Sequence, residues 1–563
     1  MILFPRLLLV CFLCLALLAG CKKSSSSKAN QDQQTGAPPN ALELLFTYGS
    51  EKEEWVKAVT EIFNRQQNKT PAGQPIFVKA VPQGSGESID LILNGASKAD
   101  LVSPASAAFI KLGNAQSRAS TGKDLIAQTD NLVLSPVVIA MWKPMAEAIG
   151  WGKQPVGWSD ILALARNQQG WAAFGFGQWG QFKFGHTHPQ YSNSGLISLF
   201  AEVYAATGKV SNLTLDDLAQ PKVAQFLEEI EHSVVHYGSS TGFFGRKLFS
   251  NGPEYLSAAV LYENMVIESY APKYALPFPV VAIYPKEGTF WSDHPVGIVE
   301  REWVTPERRE AAKKYIEFLL ARPQQERALE FGFRPASLEV PLGPPIDPAH
   351  GVNPKEPQTT LEIPSPEVMH AITQLWREHK KRSSLTLVFD VSGSMQDDNK
   401  IENARAGALE LLAVLDDRDA FALEPFNARI LENELPTDLT QSRETARGKI
   451  QSLFASGGTA LYDAIAAAYQ RHLESSPDEQ DKISAIVVLT DGADTRSKLN
   501  LDDLLSQIQL RSESQPVRIF TIGYGNDAQK DVLQKIADAT QAKFYAGTPE
   551  NIREVFKDIS TFF

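Results

Sequence analysis

This sequence predicts an α/β chain of two successive domains, the second of them a doubly wound sheet. Three observations point there. Residues 385–390 and 483–490 are continuous apolar runs, the pattern of parallel strands covered on both faces, and each ends at an aspartate, Asp390 or Asp491. Strand-like and helix-like segments alternate around them from 401 to 559. Upstream, strand–turn–helix units recur between 42 and 104, each with small polar residues at the turn. A length of 563 residues suits two or three domains.

In chain order, the leader comes first. Arg6 precedes an apolar stretch, Leu7–Leu18, which reads as the core of a signal peptide (1–20) and is too short for a comfortable membrane span. Leu18-Ala19-Gly20-Cys21 resembles the bacterial lipobox, which implies that Cys21 is lipidated and becomes the new N-terminus. The other two cysteines, Cys11 and Cys14, lie in the segment that would be removed, so no disulfide is expected. Lys22 stands where an Asp would signal inner-membrane retention, which points to the outer membrane if the organism has one. Residues 21–40 are a polar tether able to span about 25 Å as a flexible chain.

Residues 41–337 form the larger piece. A strand is expected over 42–50, then a helix over 55–66 capped by Ser50 with Glu53. A second strand, 76–81, runs into Gln83-Gly84-Ser85-Gly86-Glu87, and Ala99-Asp100-Leu101-Val102-Ser103-Pro104 repeats the theme. These loops resemble those of the type 2 periplasmic solute-binding proteins of ABC transporters. By that resemblance, 132–142 crosses into a second lobe and 189–195 precedes that lobe's first helix. Tyr262-Glu263-Asn264 and 284–289 would form the returning hinge, and 306–331 the terminal helices. Glycine and serine at helix N-termini suit an anion, which makes Ser50, Ser85, Ser103 and Ser194 candidate solute ligands; the alternative is that they only cap helices. The aromatics of 171–184 read as lobe core, with the lining of a cleft as the alternative. His232 and His236, spaced i, i+4, read as a solvated helix face because no zinc-protease glutamate follows the first. Residues 338–365 are a proline-rich linker, and a helix over 366–380 leads into the last domain, 366–563.

That domain carries the sharpest motif. Asp390-Val391-Ser392-Gly393-Ser394 leaves one strand end, Ser456-Gly457-Gly458-Thr459 lies farther on, and Thr490-Asp491-Gly492 leaves the other strand. Ligands of open α/β sheets bind outside the carboxyl ends of the strands. Two carboxylates and three hydroxyls suit a hard divalent cation with oxygen ligands, Mg²⁺ first and Mn²⁺ or Ca²⁺ as alternatives. The set resembles the metal-ion-dependent adhesion site of the von Willebrand factor A (VWA) family at all five positions, Asp390, Ser392, Ser394, Thr459 and Asp491. The resemblance implies direct metal binding by the serines, direct or water-mediated binding by the threonine, and action by the aspartates through water or from behind the direct ligands. With so few charged ligands, one coordination position is left for a carboxylate from a protein partner.

The expected fold is therefore a two-lobed type 2 periplasmic-binding-protein-like domain followed by a Rossmann-like VWA domain, anchored by lipid in the bacterial envelope. A small-molecule solute is the second expected partner. A net charge of −12 argues against nucleic acid. No nucleophile elbow, Walker loop or dinucleotide fingerprint is present, so no enzymatic activity is expected.

Overall fold

In a computed structural model, these patterns resolve into three sheets flanked by helices. The structure describes residues 36–474, 482–509, 517–525 and 527–563; the leader, Cys21 and the tether through residue 35 lie outside them. Among the described residues, no helix is long and apolar enough to cross a membrane.

The first lobe is a five-stranded sheet. Strand β1 (Leu42–Gly49) pairs in parallel with β2 (Ile76–Gln83) and β3 (Leu101–Ser103). Strand β4 (Ile126–Asn131) lies at the far edge. Leu44, Phe46 and Tyr48 of β1 are buried at alternate positions in one core with Trp55, Val59 and Phe63 of the helix Glu53–Arg65. The second lobe is built on β5 (Val133–Trp142). It is bordered by β7 (Ala258–Tyr262), with β6 (Phe184–Gly185) beyond, and it also pairs with β8 (Val280–Ile283) and β9 (Trp291–Ser292). The chain crosses between lobes at β4–β5, returns from β9 to β10 (Pro295–Val299), and crosses again to β11 (Arg334–Pro335) against β5.

The C-terminal sheet has the order β14-β13-β12-β15-β16-β17. Its members are β12 (Ser383–Asp390), β13 (Ala420–Phe426), β14 (Thr437–Asp438), β15 (Ile483–Thr490), β16 (Arg518–Tyr524) and β17 (Phe544–Gly547). All pairings are parallel except the edge strand β14. Leu385, Leu387 and Phe389 enter the core on one face and Val388 the core on the other, which is why β12 reads as an unbroken apolar run. The helices Lys400–Val414 and Ile552–Ser560 pack together on the first face; Leu461–Glu474 and Leu501–Gln509 cover the second.

Four expectations need correction. The Ser50–Glu53 capping box does not form, because Ser50 begins a short 3-10 turn, Ser50–Lys52, and its hydroxyl is taken by Gly242 N–H. His236 is not on a solvated helix face: the helix Pro221–Glu231 ends before it, and its buried ring bonds Tyr255 Oη and packs on Phe244 and Phe562. The helix after 189–195, Asn193–Thr207, is preceded in its lobe by Lys143–Ala148 and Trp158–Arg166. The proline-rich segment does not stand free. Gly351 C=O accepts from Ala282 N–H (2.8 Å), and Leu361 N–H donates to Thr289 C=O (2.9 Å), which holds it against the second lobe. The 171–184 aromatics are core as read: Trp171, Trp179, Phe182 and Phe184 are buried, with Phe174 at the edge.

Residues Asn40–Phe563 form one unit. The C-terminal domain sits on the second lobe through Trp376, whose ring meets those of His188 and Tyr237 edge to face at 5.1 and 5.4 Å. Phe562 C=O accepts from Tyr237 N–H (3.4 Å).

Candidate functional site

The C-terminal rim of the third sheet brings three loops together. The loop after β12 is tied to the glycine loop by two main-chain bonds, Gly393 N–H to Gly457 C=O (2.9 Å) and Ser456 N–H to Val391 C=O (2.7 Å). Gly457 has φ +89°, a left-handed conformation that glycine adopts without strain. Thr459 is fixed on both sides: its N–H donates to Thr495 Oγ1 (3.0 Å), and its carbonyl accepts from Thr495 N–H (2.8 Å) and Arg496 N–H (3.0 Å).

Asp390 is fully buried at the end of β12. It accepts from Ser392 N–H at Oδ1 (2.7 Å) and from Thr490 Oγ1 at Oδ2 (2.6 Å). Burial pushes its carboxyl up to about 6, with the charge of Asp491 adding to the rise and the bonds from Thr490 and Ser392 opposing it. Ser394 Oγ lies 3.2 Å from Ser392 Oγ and donates to Asp491 Oδ1 at 2.7 Å. The hydroxyl oxygens of Ser394 and Thr459 each lie 4.0 Å from the point where a side chain on Gly492 would begin, so the missing side chain leaves a hollow between them.

The donor set fits a magnesium-type ion. Adjacent oxygens of an octahedron with 2.0–2.1 Å bonds stand about 2.9 Å apart. The Ser392–Ser394 and Ser394–Asp491 separations, 3.2 and 2.7 Å, bracket that spacing. Ser392 is 2% and Thr459 6% exposed, whereas Ser394 faces solvent, so the hollow is open on one side. Among the described residues, no three His, Cys, Asp or Glu side chains converge on one point; the two aspartates stand among hydroxyls, those of Ser394 and Thr490 bonding Asp491 and Asp390.

Two residues of this site escaped the sequence reading. Thr490 orients Asp390, and its position directly before Asp491 was an available signal. Lys400 Nζ lies 2.7 Å from Asp491 Oδ2, with its side chain 8% exposed. Burial opposes its charge. The hydrogen bond and the attraction of Asp491, with Asp527 and Asp397 farther off, hold the ammonium above its ordinary range. A lysine in the first turn of a helix gives no sign in sequence of a partner 91 positions away.

All four candidate solute ligands of the first domain are buried, and Ser50 bonds across its two lobes. Ser50 Oγ accepts from Gly242 N–H (3.0 Å), and Ser85 Oγ accepts from Ala105 N–H (3.0 Å). Ser194 Oγ bonds Thr187 Oγ1 (2.8 Å) and Thr241 Oγ1 (3.0 Å). Ser103 Oγ is buried without a protein partner. Beside them Lys52, fully buried, donates to Glu51 Oε1 (2.7 Å) and lies 3.1 Å from His294 Nδ1.

Comparison with known proteins separates the two halves. Residues 44–334, more than half of the chain, match the model of the bacterial extracellular solute-binding protein family, and residues 384–558 match that of the von Willebrand factor type A domain. The inter-alpha-trypsin inhibitor heavy chain H4 of Sus scrofa is 27% identical over 176 residues, covering 31% of this chain and 18% of its own length. Among solved structures, a von Willebrand factor type A protein from Catenulispora acidiphila is 26% identical over 32% of this chain and 42% of its own, with a TM-score of 0.28. A periplasmic thiamin-binding protein is 14% identical over 61% of this chain and 97% of its own, with a TM-score of 0.44.

Proposed function

Because the chain belongs to the bacterial extracellular solute-binding protein family and carries a VWA domain behind that module, we propose that it is an envelope-anchored binding protein that captures an acidic protein partner through a divalent cation. Ser392, Ser394 and Thr459 would hold the ion, with Asp390 and Asp491 behind them. A divalent cation supplies Lewis acidity toward an oxygen of the partner. The rest is the work of the chain. Thr490 and Ser392 hold Asp390 in place, and Ser394 is presented at the surface.

The observation that carries this reading is the oxygen spacing around Ser394 together with Lys400. The ammonium neutralises one of the two carboxylates. A dication added to one remaining negative charge leaves the rim net positive, which favours a carboxylate arriving from outside. Lipidation at Cys21 and a polar tether would hold the chain at a membrane surface, facing the periplasm or the exterior. Its action is binding, without turnover.

The test is capture of partners from a native envelope extract by the full chain. Magnesium should be required, and both EDTA and Asp390→Ala should abolish capture. Capture that survives either treatment overturns the reading. A second reading, a transport receptor for a small solute, anionic or neutral, with the VWA domain as docking module, is favoured by the family of the first module. A thermal shift of the full chain with oxyanions, sugars or amino acids would support it.

A further inference from the structure

We infer that the solute-binding module is occupied by its own chain. The segment 190–193 of the second lobe fills the interlobe cleft, and the module serves as a closed platform for the VWA domain rather than as a solute receptor. This goes beyond the metal-site reading and does not depend on it.

The helix Ser85–Leu93 of the first lobe points its N-terminus at the cleft. There the N–H groups of Gly86 and Glu87 donate to Tyr191 C=O, at 2.9 and 3.2 Å. That carbonyl stands where the oxygen of a bound anion would be received at a helix N-terminus. The approach is backbone on backbone. A β-carbon on Gly84 would stand 2.4 Å from Tyr191 C=O, and one on Gly86 2.0 Å from Gln190 C=O. A glycine works in the same way from the other lobe. Gly242, in the first turn of the helix Thr241–Asn251, donates its N–H to Ser50 Oγ, and a β-carbon there would stand 2.5 Å from Ser50 C=O.

Side chains complete the closure. Ser106 Oγ donates to Asn193 Oδ1 (2.6 Å), and Asn193 Nδ2 donates to Tyr262 Oη (2.9 Å). Asn264 Nδ2 donates to Glu51 C=O (3.2 Å). At the rim, Arg246 pairs with Glu53 (2.7 Å) and Lys273 with Glu54 (3.1 Å). The buried cation that would greet an anionic solute, Lys52, is already paired with Glu51. The N-terminus of the Ser85–Leu93 helix and the Ser50 hydroxyl are thus spent on the opposite lobe, while Ser85, Ser194 and Lys52 are bonded within their own lobes and Ser103 Oγ has no protein partner.

The same loop seats the second domain. His188 packs on Trp376, and His188, Gln190 and Tyr191 line one wall of a 560 Å³ cavity whose other walls include Val414 and Phe563. One short segment therefore lies between the cleft and the C-terminal domain. Prying the lobes apart would move the surface on which that domain sits.

The test is a distance measurement by pulsed electron resonance on the full chain, with spin labels replacing Lys57 in the first lobe and Gln225 in the second, both exposed. The protein is first unfolded in guanidinium and refolded, to remove any small molecule carried through purification. The expected result is one narrow distance, equal before and after stripping and unchanged by inorganic phosphate, sulfate or maltose. Gly86→Val should lengthen and broaden it while the far-ultraviolet circular dichroism stays that of the parent. If that variant does not fold, the pair Ser106→Ala and Asn193→Ala should broaden the distance in its place. A stripped protein that is open, and closes on addition of any of the three probes, overturns the inference. So does a distance that neither Gly86→Val nor the alanine pair alters.

Discussion

The two domains end their strands in the same kind of residue and use it in opposite ways. At the rim of the C-terminal sheet, Ser392, Ser394 and Thr459 converge on a hollow, and Ser394 remains open to solvent. In the cleft of the first domain, Ser50, Ser85 and Ser194 are each bonded to a group of the chain, and all three are buried. What separates the two is what surrounds the hydroxyls. The C-terminal rim adds two carboxylates offset by one lysine, which leaves charge for a cation to satisfy. The cleft adds main-chain groups of the facing lobe, Tyr191 C=O against the N–H groups of Gly86 and Glu87 and Gly242 N–H against Ser50, and leaves only Ser103 Oγ of the four candidate hydroxyls without a protein partner.

The sharpest challenge to this contrast concerns the buried ion pair at the third interlobe crossing. Arg334 meets Glu263 in two parallel bonds of 2.8 and 2.7 Å, with the side chains 7% and 0% exposed. Glu263→Ala strands a buried guanidinium and should cost about 3–5 kcal/mol in denaturant unfolding of the first domain. Eight of the nine tryptophans precede residue 366, so tryptophan fluorescence reads that domain selectively. A cost below about 1 kcal/mol would mean that the crossing is not closed as described.

Acid should also divide the domains. Burial, with Arg518 adding to it, drives His236 down to about 3; burial and Lys52 drive His294 down to about 4; burial and Arg471 drive His472 down to about 4. A histidine held neutral in the fold takes up its proton only on unfolding, so stability present above the unfolded value near 6.5 is lost as pH falls below it. Each such ring costs about 2 kcal/mol between pH 7 and pH 5. His236 and His294 lie in the first domain and His472 in the second. His186 works the other way: burial opposes its charge, but Glu231 holds it above its ordinary value. The first domain should lose more stability on acidification, and its tryptophan-detected transition should move ahead of the second. Parallel loss in both would remove this distinction.

Magnesium should stabilise the C-terminal domain by about 2.7 kcal/mol at a hundredfold excess over its dissociation constant, and Asp390→Ala should erase the gain. The first domain should not respond. The smallest effect is expected at Lys400, where Lys400→Met removes the ammonium that competes for Asp491. It should tighten magnesium about tenfold, a change of about 1.4 kcal/mol. Weaker binding would show that the lysine orders the aspartate more than it competes with the ion.

The meeting of the three loops that carry the five proposed metal ligands was legible in sequence because each of those residues sits at the end of a strand or beside a glycine turn, where local pattern fixes position. Thr490 was one residue from a residue already identified. Lys400 was hidden because its partner is reached only through the folded sheet. The cleft was legible as a rhythm of strands and glycine turns. The same glycines that suit an approaching anion also suit an approaching backbone, and only the facing lobe tells the two apart. Ser50 illustrates the point: four residues of local sequence suggested a helix cap, and a contact 192 positions away claimed its hydroxyl.

Calorimetric titration of magnesium into the full chain tests the central claim most directly, with Ser394→Ala as the comparison. The account predicts one site in the parent and at least hundredfold weaker binding in the variant, a loss of about 2.7 kcal/mol or more. Equal magnesium binding by the two proteins, or none by the parent, would contradict it.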